Sequence, residues 1–349
     1  MKVDGKARMK AYLRHVCEHI RLMQRDGALY FILAALLLLP VWFQPRMTLD
    51  SVVQDTMFVI DISESMNVPD VDFPRPQTSR LELAKAAVRA GMASLPCGSR
   101  VSIALFAGDE VVMLFEPLEI CRHFPAIEQV VTRLDTRMRW IGDSWIIRAV
   151  AASIREAQKR NLNVVLVSDG DEMPHRVSPR FADLVEYKGK IKGVLWGVGG
   201  EAPQPVPKLD GSGQVVAYWT PEEAVLEGNH PNLLAMIKDL RPGEQAPAEV
   251  MAEVGEHLSA FNRPLLRGAA ESAGLEMQHL ATTADAVASL QNPDYRRQAP
   301  AERDARWIFG LAAGCLALLG WFRSSLAGLL PAITAWRSIM QVRLPKFRS

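Results

Sequence analysis

The sequence has no charge surplus of either sign: 40 Lys and Arg stand against 39 Asp and Glu in 349 residues, a formal net charge of +1 at pH 7. A chain so balanced lacks the electrostatic footprint of a nucleic-acid binder, and no nucleic acid is expected among its partners. Internal repeats are missing too, with no period of roughly 20 to 50 residues, which excludes a solenoid or propeller. Cysteine is scarce, 4 in all. A small-residue cleavage site is absent after the first apolar run, where Pro45-Arg46-Met47 stands instead. That run is therefore expected to remain as an anchor, not to leave as a signal peptide.

The apolar fraction of 49% is ample for a core, but part of it lies in two segments near the ends. Residues 28–43 (ALYFILAALLLLPVWF) carry no charge and, with Gly27 and Gln44, make a short membrane span over 27–44. Lys2, Lys6, Arg8, Lys10, Arg14, Arg21 and Arg25 precede it and place segment 1–26 in the cytoplasm by the positive-inside rule. His15 and His19 in that segment have the i, i+4 spacing of a metal pair, but an amphipathic helix along the membrane is the simpler expectation. Residues 307–322 (WIFGLAAGCLALLGWF) form a second uncharged run with Trp near both ends. Residues 326–340 are apolar but interrupted by Pro331 and Arg337, and are expected to lie in the interface or re-enter the bilayer. The tail 323–349 is basic and amphipathic. Two spans with both ends inside put a domain of residues 45–291, with a linker at 292–306, on the far side of a bacterial inner membrane, in the periplasm. Membrane lipid is thus an expected neighbour. Only Cys97 and Cys121 fall in the exported part, and an oxidising compartment leaves a bridge between them open.

From about residue 52 to 291, short β-branched runs alternate with amphipathic stretches, the signature of βα units around a mostly parallel sheet. Strands are predicted at 58–61, 101–106, 111–115, 163–167 and 192–197. Leu81, Ala84, Lys85, Val88 and Met92 lie at helical spacing behind Ser79, a suitable N-cap; Ile146, Val150, Ile154 and Ala157 form a second face. An insertion at 201–220, rich in proline and glycine, predicts a hairpin beside the sheet. A last strand at 275–280 and a helix at 284–290 close the pattern.

Three predicted strand ends run into small polar residues. Met57-Phe58-Val59-Ile60 leads to Asp61-Ile62-Ser63-Glu64-Ser65, Trp140-Ile141 to Gly142-Asp143-Ser144, and Val164-Val165-Leu166-Val167 to Ser168-Asp169-Gly170-Asp171. In a parallel α/β sheet, groups at strand ends converge on one pocket. The same residue types also cap helices. Carboxylate and hydroxyl oxygens suit a hard divalent cation, magnesium first, with calcium or manganese as alternatives. No general base stands beside a nucleophile in this pattern, so no enzymatic activity is expected. The nearby acids Asp70, Asp72, Asp171 and Glu172 are expected to be solvated loop residues.

These blocks resemble the von Willebrand factor A (VWA) family and its metal-ion-dependent adhesion site (MIDAS). The resemblance implies a Rossmann-like α/β VWA fold with a mostly parallel central sheet, here flanked by N- and C-terminal transmembrane helices. It also implies metal ligands at Asp61, Ser63, Ser65, Ser144 and Asp169, with Ser144 where the family carries threonine. In that family a protein partner's acidic side chain completes the metal's octahedron. Residues 61–70, 114–118, 140–146, 168–175 and 195–200 further resemble the VWA accessory proteins encoded with methanol dehydrogenase. This implies an assembly factor in that enzyme's maturation, in calcium insertion above all, with a MoxR-type AAA+ ATPase as a further partner. The alternative is a general cell-envelope or aerotolerance-type VWA interaction protein working with such an ATPase.

Overall fold

The computed structural model describes residues 27–172, 180–221, 223 and 257–342, and side chains up to residue 325. The basic segment 1–26, with His15 and His19, and the block at 173–175 lie outside the described residues. Two compact units divide the chain, one built from its two ends and one spanning residues 50–301.

In chain order the elements are α1 (Ala28–Leu38), β1 (Arg46–Val53), β2 (Thr56–Asp61), α2 (Arg80–Ser94), β3 (Arg100–Ala107), β4 (Glu110–Met113), β5 (Leu118–Glu119) and α3 (Ile120–Thr132). There follow α4 (Ile146–Arg160), β6 (Asn163–Ser168), β7 (Gly193–Gly197), β8 (Gln204–Pro205), β9 (Pro207–Leu209), β10 (Val215–Tyr218) and β11 (Leu258–Ser259). The last are α5 (Arg263–Ala273), β12 (Glu276–His279), α6 (Thr283–Ser289), β13 (Arg297–Asp304) and α7 (Arg306–Val342).

The larger unit is a three-layer α/β/α sandwich. Its sheet runs β12-β7-β6-β2-β3-β4, parallel except for the antiparallel edge made by β4 and β5 on β3. β2 is buried along its whole length, so its sequence reads as a continuous apolar run, not an alternation. Its side chains still divide by face. Phe58 and Ile60 pack with Val88 and Met92 of α2 and Val131 of α3, while Met57 and Val59 pack with Val150 and Ile154 of α4 and Leu266 of α5. Ser79 caps α2 by accepting from the Glu82 N–H at 3.3 Å, as its spacing predicts.

The chain passes from β2 to β3 on one side, then returns to β6 on the other. The switch point therefore lies between the ends of β2 and β6, where ligands of open α/β sheets bind. The expected hairpin is β9 with β10, antiparallel around Gly211–Gly213, and β8 pairs separately with β11. The Cys97–Cys121 bridge is formed, tying the loop after α2 to the first turn of α3.

Two expectations change. Residues 292–306 are not an open linker: after a 3₁₀ turn at Pro293–Tyr295 they form β13, which pairs with β1. Its backbone donors and acceptors are used in a ladder, which composition alone does not reveal. In the unit made from the chain ends, α7 continues as one helix through 326–340, without the interruption expected at Pro331 and Arg337. Among the described residues one helix is long and apolar enough to cross a membrane, Arg306–Ser325, with a mean hydropathy of 1.4; Ala28–Phe43 is a shorter apolar helix. The two meet closely at Gly27, with φ of +74°, where a Cβ would sit 2.4 Å from the Gly320 carbonyl oxygen.

Candidate metal centre at the strand ends

Asp61 is the last residue of β2 and is fully buried. The Ser63 N–H donates to its Oδ1 at 2.8 Å, and the Ser168 hydroxyl donates to its Oδ2 at 2.7 Å. The first of these is an Asx turn, which takes the chain out of the strand into the 3₁₀ turn Glu64–Asn67. That turn brings Ser63 Oγ and Ser65 Oγ within 3.0 Å of each other. The D-x-S-x-S spacing is thus a geometric device that folds two hydroxyls back over the carboxylate.

Asp169 directly follows β6 and is equally buried. Its Oδ1 accepts the Asp171 N–H at 3.0 Å, its Oδ2 accepts Arg80 Nη1 at 2.7 Å, and the Ser65 hydroxyl also bonds it. Ser144 sits at the end of β3, bridged in parallel to Gly108, with Trp145 N–H donating to the Gly108 carbonyl at 2.8 Å. Its hydroxyl is buried and has no hydrogen-bond partner among the described residues. The structure therefore joins Asp61, Ser63, Ser65 and Asp169 in one hydrogen-bonded cluster and sets Ser144 at the end of the neighbouring strand.

The electrostatics of this face are unbalanced. Burial, then the nearby Asp169, push the Asp61 carboxyl up to about 7 against the hydrogen bonds from Ser168 and Ser63. Burial also raises Asp169, opposed by the Arg80 guanidinium and reinforced by Asp171. Asp61, Asp70 and Asp169 are three nearly or fully buried carboxylates, and Arg80 is the cation that meets two of them. Ionised together they carry three negative charges against one positive, and Asp61 has no cation among its hydrogen-bond partners in the described residues, an arrangement that a low-dielectric site does not sustain unaided. A divalent cation would neutralise them. The donor set of hydroxyls and carboxylates fits a hard ion, and the neighbouring strand end carries the buried Ser144 hydroxyl, which has no partner among the described residues. Among the described residues no group of three or more His, Cys, Asp or Glu gathers in a way that would hold a metal ion by itself, so the serine hydroxyls would have to contribute.

Two expectations fail here. Asp70 is not a solvated loop acid: its side chain is 8% exposed and holds Arg80 through Nη2 at 2.6 Å and Nε at 3.0 Å. Glu172 is buried as well and faces the first turn of α4, with Ile147 N at 3.5 Å. Asp72 is exposed as expected. Arg80, the most buried cation of the site, was not singled out by sequence reasoning. The available signal was an arginine at the first position of a helix, where the dipole disfavours positive charge, ten residues after an aspartate.

Residues 56–172 match the family model of the von Willebrand factor type A domain, and the chain carries a domain of this type. Among solved structures, it is similar to the conserved hypothetical protein BatB from Bacteroides thetaiotaomicron, with 15% identity, a TM-score of 0.47, and coverage of 68% of this chain and 96% of that one. It is also similar to an aerotolerance-related membrane protein from Bacteroides fragilis NCTC 9343, with 17% identity, a TM-score of 0.46, and coverage of 69% and 98%. No curated protein matches the chain.

Proposed function

We propose that this protein is a membrane-anchored interaction module of the cell envelope, whose VWA domain docks a protein partner through a divalent cation, magnesium first, and performs no catalysis. The observation that carries this reading is the buried Asp61 carboxylate, which has no cation among its hydrogen-bond partners in the described residues, clustered with Ser63, Ser65 and Asp169 beside the strand end that carries the unpartnered hydroxyl of Ser144. In that state Ser63, Ser65 and Ser144 would offer hydroxyl oxygens, and Asp61 and Asp169 would supply charge. The bound ion would provide one position for an acidic side chain of the partner. Arg80 and the Ser168 hydroxyl hold the two carboxylates in place. The Cys97–Cys121 bridge supports an exported, periplasmic setting for the domain, since such bonds persist in oxidising compartments. An alkaline-phosphatase fusion at residue 200 should be active; an inactive fusion would overturn that topology.

The general cell-envelope reading, with a MoxR-type ATPase as candidate partner, is preferred. The narrower role in methanol dehydrogenase maturation rests on sequence blocks alone, and part of one block lies outside the described residues. Affinity capture of the tagged full-length protein from its native membrane, with and without a chelator, tests the docking reading. A partner recovered only with divalent cation, and lost with Asp61→Ala, is the expected result. Equal recovery in all cases contradicts it. Recovery of a quinone-dependent dehydrogenase as that partner would restore the narrower role.

A further inference from the structure

Arg80 ties three segments together at the edge of the candidate metal centre. Its side chain is fully buried, and its donors are spread over three separate segments. Nη1 meets Asp169 Oδ2 at 2.7 Å and Ser259 Oγ at 2.6 Å. Nη2 meets Asp70 Oδ2 at 2.6 Å and the Ser259 carbonyl at 3.1 Å, and Nε reaches Asp70 Oδ1 at 3.0 Å. Asp70 is fixed in turn by the Gly200 N–H at 2.9 Å. Backbone closes over the guanidinium at Gly199, whose φ is +105° and where a Cβ would lie 2.4 Å from Nε. The fork thus joins a candidate metal ligand to Asp70 and to β11.

We propose that Arg80 is a resident counter-cation that competes electrostatically with the bound metal for Asp169 and thereby sets the site's affinity, with Asp70 regulating how much of its charge is felt. This rests on the docking reading above. Arg80 neutralises part of Asp169 in the absence of metal, which keeps the strand ends folded, and repels the ion when it arrives. Asp70 offsets that repulsion. The consequence is a weak intrinsic site that holds its ion firmly only once a partner adds a carboxylate, so metal and partner bind together.

The two side chains must then act with opposite signs. Mn²⁺ titration of the full-length protein in detergent, followed by electron paramagnetic resonance of the free ion, measures affinity; thermal unfolding with and without Mg²⁺ measures coupling to stability. Arg80→Gln should tighten Mn²⁺ about tenfold or more and enlarge the Mg²⁺-induced rise in Tm. Asp70→Asn should weaken Mn²⁺ severalfold, and Arg80→Lys, which keeps the charge, should stay near the wild type. A purely structural Arg80 would lower Tm equally with and without metal and leave affinity unchanged, which overturns the proposal. Should Arg80→Gln fail to fold, Asp70→Asn decides: weaker binding supports the proposal and unchanged binding overturns it. Absence of Mn²⁺ binding in the wild type together with its appearance in Arg80→Gln supports it. Absence in both removes the metal reading itself.

Discussion

The strand at the centre of the sheet is flanked by a buried aspartate at each end, and the two are served in opposite ways. Asp55, just before β2, accepts the Arg100 N–H at 2.7 Å, Arg100 Nη2 at 2.9 Å and Arg297 Nη2 at 2.5 Å. Asp61, six residues on, receives one backbone N–H and the hydroxyls of Ser168 and Ser63, with no cation among its hydrogen-bond partners in the described residues. The first carboxylate is satisfied and closes the bottom of the sheet, holding β2, β3 and the approach to β13 together. The second is left with its charge uncompensated on the face where the topology switches. Residue type alone does not separate a structural from a functional aspartate; the supply of positive charge around it does.

The sharpest way to break this contrast is to remove each carboxylate in turn. Asp55→Ala removes the acceptor of the Arg100 N–H and of two half-exposed guanidinium groups, and should cost about 3 kcal/mol in chemical denaturation, whether or not metal is present. Asp61→Asn should leave metal-free stability unchanged or raised, because it removes an uncompensated buried charge. Equal losses from both would dissolve the distinction. Next in size is the Cys97–Cys121 bridge, which spans 24 residues. Its double replacement by serine should cost about 3 kcal/mol, read as a lower denaturation midpoint, with metal affinity preserved. Ser144→Ala removes a buried hydroxyl that has no protein partner, so stability should change by less than about 0.5 kcal/mol while metal affinity falls several-fold. A loss of stability without a loss of affinity would assign Ser144 to packing.

Furthest from both aspartates in role is the capping box of α6, whose effect is on stability alone. Burial opposes ionisation of Asp285, but the Thr282 and Ala281 N–H groups it accepts outweigh this and hold its carboxyl below the usual range. Asp285→Asn should therefore cost about 1 kcal/mol near neutrality. A depressed carboxylate stabilises the fold above its ordinary pKa and loses that contribution as pH falls through the folded value. The difference between wild type and variant should accordingly shrink in acid and stay constant above about pH 5.

Much of this was readable in the residues. β2, β3 and β6 announced themselves as β-branched or apolar runs, and Ser79 marked the start of α2, because burial on both faces and capping are local in sequence. The convergence of Asp61 and Asp169 followed from strand-end logic. What remained hidden depends on side chains meeting across long separations. Arg80 reaches Ser259 across 179 positions, and Arg297 reaches Asp55 across 242. Neither pairing leaves a local pattern. Asp70 was misread for the same reason, since its proximity to a motif in sequence says nothing of the guanidinium that covers it. The pairing of β1 with β13 was likewise hidden, since charged and proline-containing segments lack the apolar alternation that signals a strand.

The most direct measurement is Mn²⁺ binding to the full-length protein in three forms: wild type, Asp61→Asn and Asp55→Asn. The predicted result is one site in the wild type, displaced by Mg²⁺, retained in Asp55→Asn and lost in Asp61→Asn. Binding that survives in Asp61→Asn, or that Asp55→Asn abolishes in a folded protein, would contradict the assignment of the metal to the strand-end face.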